Sequence, residues 1–126
     1  MKKIIKTNAA PLPIGPYNQA TTFNGLLFVS GQIALDPNTG ELVIDTIENE
    51  THQVLTNLKA ILHEAGYSLE NVLKCSVFVT DMNMFGRINA IYSQYFNEES
   101  APARELVQVA ALPRFVNVEI SAIAAK

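Results

Sequence analysis

The segment from Asp45 to Gly66 constrains this chain more than any other. Ile47, Val54, Leu55, Leu58, Ile61, Leu62 and Ala65 recur at helical spacing, which predicts one amphipathic helix of about five turns. Asp45 with Glu48 supplies a capping box at its start, and Gly66 supplies its stop. A helix with a single apolar stripe needs a surface to bury it on, and the flanking segments read as strands. Asn24-Gly25 separates the apolar runs 20–23 and 26–30, the signature of a hairpin. Residues 72–80 are β-branched and aromatic, and period two puts Leu73, Cys75, Val77 and Val79 on one face. Asp81 can cap a second helix with Phe85, Ile88, Ile91, Tyr92, Tyr95 and Phe96 on its apolar side, ending before Pro102. Two last strands are expected near 103–109 and 117–124, separated by Leu112-Pro113-Arg114.

This order predicts an α+β architecture, a mixed sheet with two helices on one face. No third helix is available for the other face, so a partner subunit is the expected cover. Composition agrees: only 17% of the 126 residues are charged and mean hydropathy is +0.15, which leaves a small domain short of polar surface. No repeat or long Pro/Gly/Ser linker interrupts the chain, so one domain is expected over 1–126. Pro11-Leu12-Pro13-Ile14-Gly15-Pro16 reads as a loop of fixed geometry, because its prolines lack amide donors.

Several classes are disfavoured. No apolar stretch approaches the roughly 20 residues that span a bilayer, and Met1–Lys6 runs into Thr7 and Asn8 without the apolar core of a signal peptide. Cys75 is the only cysteine, so neither a disulfide framework nor a thiolate cluster can form within the chain, and a cytoplasmic location is expected. A net charge of −3 weighs against a nucleic-acid partner. His52 and His63 lie about three helical turns apart, too far to chelate one ion, and no metal site is expected. Phosphate loops, nucleophile elbows and zinc-protease motifs are missing. Cys75 sits among core-facing residues, where it serves as a small hydrophobe.

Two charges sit in strand-like apolar segments: Arg104 in Pro102-Ala103-Arg104-Glu105-Leu106-Val107, and Glu119 in Val118-Glu119-Ile120. One reading places both on a solvated strand face. The other makes a site in which Arg104 clamps a carboxylate and Glu119 acts on a water. Composition does not choose between them.

Nine motifs run along the whole chain: Gly15-Pro16-Tyr17, Val29-Ser30-Gly31-Gln32-Ile33, Asp36-Pro37 with Thr39-Gly40-Glu41, Asn57-Leu58-Lys59-Ala60-Ile61-Leu62, Val77-Phe78-Val79, Asn89-Ala90-Ile91-Tyr92, Pro102-Ala103-Arg104, Ala111-Leu112-Pro113 and Val118-Glu119-Ile120. Together they resemble the RidA/YjgF/UK114 family. The resemblance implies a chorismate-mutase-like fold, a homotrimer with ligand sites between subunits, and hydrolysis of reactive enamines and imines such as 2-aminoacrylate, 2-iminopropanoate and 2-iminobutanoate to 2-keto acids and ammonia, without a cofactor. Position by position, it implies that Arg104 binds the substrate carboxylate and that Glu119 positions or activates the water. Tyr17, Ser30, Gly31 and Asn89 match substrate-pocket positions.

The chain departs from the family at Glu105-Leu106, where Ser-Cys is common, so regulation through that thiol is not expected. On a strand Glu105 points away from Arg104. Two other functions accompany the resemblance: a trimer that binds a small carboxylate such as a 2-keto acid without turnover, and a ribonuclease-type translation inhibitor, against which the acidic balance weighs.

Overall fold

A computed structural model describes residues 1–126. Eight elements follow in chain order: β1 (Lys3–Ile5), β2 (Ala20–Phe23), β3 (Leu26–Gln32), α1 (Ile47–Glu64), β4 (Val72–Val79), α2 (Phe85–Tyr92), β5 (Ala103–Gln108) and β6 (Val118–Ala125). The strands form one six-stranded sheet in the order β1-β2-β3-β6-β4-β5. Only β4 and β5, joined through α2, pair in parallel; every other neighbour is antiparallel. The expected mixed α+β architecture with two helices is therefore present. Strand β1, which the polar start of the chain did not suggest, adds an edge by pairing with β2.

The β2–β3 hairpin turns at Asn24 and Gly25, whose φ values of 51° and 80° give the double left-handed turn that matches strand twist. Helix α1 packs on β3 and β6, and α2 packs on α1. Leu27, Leu55, Leu58, Ile61, Leu62, Ile88 and Ile120 are fully buried in the core between helices and sheet, each worth roughly 1.5–3 kcal/mol relative to exposure.

Three local expectations shift. Thr46 caps α1 by accepting from the Asn49 amide, while Asp45 accepts from the Asn49 side chain 3.1 Å away. Asp81 caps a short 3-10 turn at Met82–Met84, and α2 begins only at Phe85. Leu73 points outward: an extra residue in β4 between Val72 and Lys74 resets the alternation, so Val72 and Cys75 both face the core. The outer sheet face carries Phe28, Leu73 and Val107, each more than 40% exposed, and no element of the chain lies over it.

Candidate functional site

Arg104 lies on the edge strand β5, in register with Cys75 of β4 and hence on the helix-facing side of the sheet. Its guanidinium carbon stands 4.7 Å from the centre of the Tyr92 ring and 5.9 Å from that of Phe85. Its Nη1 donates to Asn89 Oδ1 at 3.0 Å. Asn89 and Tyr92 are three residues apart on α2, so one helical face supplies both the stacking ring and the acceptor. No carboxylate of this chain pairs with Arg104. The guanidinium opens into a cavity of about 520 Å³ shared with Ser93, Phe96, Glu98 and Pro102. A planar cation with free donors in such a recess is suited to bidentate capture of a small carboxylate.

Beneath it, burial pushes the Cys75 thiol up, away from the reactive thiolate. Burial also raises the Tyr92 phenol, whose hydroxyl has no hydrogen-bond partner. Leu106 stands on the same face as Arg104, in register with Val77. Glu105 points to the outer face, as alternation requires, where it accepts from the Ser76 hydroxyl and pairs with Lys74 at 3.0 Å.

Tyr17, Ser30, Gly31 and Glu119 gather elsewhere. Strand β3 carries an extra residue between Val29, opposite Ala122, and Gln32, opposite Ile120. This bulge brings the Gly31 backbone under the Glu119 side chain, and a Cβ on residue 31 would stand 2.6 Å from Glu119 Oε2. Glu119 is half-buried and makes no hydrogen bond within the chain, and desolvation raises its pKa above the ordinary 4.5. Ser30 Oγ donates to the Asn18 carbonyl at 2.6 Å, tying β3 to the proline-rich loop. Tyr17 is 52% exposed and, with Leu12, Gly31, Ile33, Pro113 and Arg114, lines a cavity of about 250 Å³.

The six predicted site residues thus fall into two groups, Arg104 with Asn89 and Tyr17 with Ser30, Gly31 and Glu119. Glu119 is in register with Phe78, three residues along β4 from Cys75, so it projects from the face opposite to Arg104.

Buried polar side chains to which the sequence assigned no role tie down segments around the second group. Gln19, 2% exposed, accepts from the Thr7 amide at 2.7 Å and donates to the carbonyls of Thr7, Ala10 and Pro11 at 2.9, 3.2 and 2.8 Å. Asn57 donates to the carbonyls of Ile33 and Leu35. Glu50 anchors the segment ahead of β6. The available signal was phase: Glu50 falls on the apolar stripe of α1, three residues after Ile47 and four before Val54. Of the histidines, His52 Nδ1 lies 2.9 Å from the Tyr95 hydroxyl and His63 is exposed.

Residues 7–126 match the family model described as Endoribonuclease L-PSP. A RutC family protein of Synechocystis is 56% identical over 123 residues, covering 97% of this chain and 95% of its own length. The 2-iminobutanoate/2-iminopropanoate deaminase of Mus musculus is 48% identical over 124 residues, covering 98% of this chain and 91% of its own. Among solved structures, E. coli TdcF with bound serine superposes with a TM-score of 0.93 at 44% identity, covering 98% of each chain.

Proposed function

Because this chain belongs to the family described as Endoribonuclease L-PSP, the RidA/YjgF/UK114 group that includes reactive-intermediate deaminases, we propose that it hydrolyses 2-imino and 2-enamino acids to 2-keto acids and ammonia. The observation that carries the reading is Arg104, a stacked and oriented cation with no carboxylate partner, facing a cavity of small-molecule size.

The chemistry asks little of the protein. A protonated imine carbon is already electrophilic, so the site has to hold the carboxylate, place a water and move protons. Arg104 would hold the carboxylate and Asn89 would orient the guanidinium. Glu119 would take a proton as the water oxygen bonds to the protonated imine's carbon and hand it to nitrogen, then take the remaining hydroxyl proton as the carbonyl forms and the C–N bond breaks, and release that proton to the departing ammonia. Its raised pKa suits a group that must both accept and release that proton. Gly31 would admit the ligand beside the backbone, with Tyr17 and Ser30 forming the wall.

One chain does not bring these groups onto one ligand. Strand spacing separates the backbones of Arg104 and Glu119 by about 10 Å across the sheet and about 10 Å along it, with the side chains on opposite faces. We therefore place the complete site between copies of the chain in a homotrimer, each site combining the Arg104 group of one copy with the Glu119 group of the next. The uncovered outer face bearing Phe28, Leu73 and Val107 supports this assembly.

The test generates 2-iminobutanoate with an amino-acid oxidase and follows its trapping by semicarbazide. Added protein is expected to suppress the semicarbazone by consuming imine first. An unchanged trapping rate overturns the enzyme reading. The serine bound to TdcF favours a second reading, a trimer that only binds small carboxylates; Arg104-dependent binding of a 2-keto acid without imine turnover would select it.

A further inference from the structure

Glu50 is fully buried in α1, and its carboxylate accepts three hydrogen bonds, all from two adjacent residues. Asn117 donates its backbone amide to Oε2 at 2.7 Å and its side-chain Nδ2 to Oε1 at 2.8 Å, and the Val118 amide donates to Oε2 at 3.1 Å. A carboxylate removed from water is tolerated only when its lone pairs are taken up, and here they are taken up by the residues that immediately precede Glu119.

The segment needs an anchor. Arg114 and Phe115, just upstream, hold φ at 55° and 56° although neither is glycine, and Phe115 is 85% exposed. Consecutive left-handed residues are strained and persist only where their surroundings over-determine them. Downstream, the Glu119 carboxylate has no hydrogen-bond partner within the chain, so its position depends on its backbone and on the gap above Gly31.

We propose that Glu50 is a positioning residue, which fixes the start of β6 so that the Glu119 carboxylate stands where the water must be activated. This rests on the reading of Glu119 given above. Because α2 and β5 carry the Arg104 group separately, the consequence is a split: turnover depends on Glu50 and carboxylate binding does not.

The experiment compares Glu50→Gln, Asn117→Ala, Glu119→Gln and the double variant Glu50→Gln/Glu119→Gln, each shown to be folded by circular dichroism, in 2-iminobutanoate hydrolysis. Glu50→Gln keeps the volume but removes the carboxylate charge and leaves one oxygen for three donors, so the Asn117 side chain has to turn over to meet the new NH2 group. It is expected to lower kcat about tenfold with KM within about twofold, and to add nothing to the loss caused by Glu119→Gln. Amide exchange should accelerate at Asn117 and Val118 while Ile120 and Ala122 keep their protection. If Glu50→Gln does not fold, Asn117→Ala decides, since it removes one donor only: a lowered kcat at unchanged KM supports the proposal, and an unchanged kcat overturns it. A folded Glu50→Gln with normal kcat, alongside a slow Glu119→Gln, overturns the role of Glu50 alone. Normal turnover by Glu119→Gln overturns the role of Glu119 and this proposal with it.

Discussion

Arg104 and Glu119 project from opposite faces of the same sheet, with β4 lying between their strands. If both act on one small ligand, two copies of the chain must supply them. Arg104→Ala and Glu119→Gln are each expected to retain only slow turnover alone, yet mixing the two after reversible dissociation should raise it well above either. Random assortment in a trimer leaves roughly a quarter of the sites with both groups intact. Imine-trapping rates before and after mixing measure this, and no recovery in the re-formed oligomer would place the site within one chain.

Gly31 has no room for a side chain. In Gly31→Ala the new Cβ meets Glu119 Oε2 at 2.6 Å, and the carboxylate has to swing away because the backbone beneath it is held in the sheet. Turnover should fall at least about tenfold, while stability changes by no more than about 1 kcal/mol, since the displaced group is a flexible side-chain end. Activity together with a urea titration checks both parts.

Asn89 orients the guanidinium without adding charge. Asn89→Ala removes the 3.0 Å acceptor, leaving Arg104 stacked on Tyr92 but free to rotate. KM should rise several-fold with little change in kcat, because a poorly aimed clamp weakens carboxylate binding in ground and transition states alike. Steady-state kinetics with 2-iminobutanoate reads the split.

The pH dependence follows from burial of Glu119. Its pKa lies above 4.5 through desolvation, so the base form, and with it turnover, should grow in at a midpoint above that value as pH rises. The linkage has a definite sign. A carboxyl with a raised folded-state pKa favours folding below 4.5, and that advantage is lost as pH rises through the folded-state value. Glu119→Gln should therefore raise Tm at pH 7 but not at pH 4, and should abolish the acidic limb of the rate profile. Thermal scans at the two pH values, with rates across the range, test it.

Gln19 is the hub of the proline-rich loop. Gln19→Leu leaves the Thr7 amide and the carbonyls of Thr7, Ala10 and Pro11 without their side-chain partner, so a loss of about 2–3 kcal/mol is expected. Turnover should also fall at temperatures where the protein is still folded, because Tyr17 stands on the loop that Gln19 holds. Calorimetry and activity measured at the same temperatures separate the two effects.

Local pattern carried the elements. The helical spacing from Ile47 to Leu62, the Asn24-Gly25 turn and the β-branched run after Val72 all correspond to observed structure, because each depends on neighbours a few residues apart. Leu73 was misplaced because a bulge is defined by the partner strand, which the run 72–80 does not contain. The same holds for the bulge that brings Gly31 to Glu119. Arg104 stood out as a charge inside an apolar strand, but its orientation depends on Asn89 and Tyr92 fifteen and twelve residues earlier.

The sequence by itself determined the long helix and five of the six strands, the shortage of charge, and the family to which the motifs belong. These are properties of local spacing and composition. Only the tertiary structure decided that Arg104 and Glu119 face opposite ways, that Glu50 and Gln19 are spent inside the fold as anchors, and that Glu119 has no partner of its own. Strand register and burial are set by contacts between residues distant in sequence, and a side chain's face is known only when the strand beside it is known.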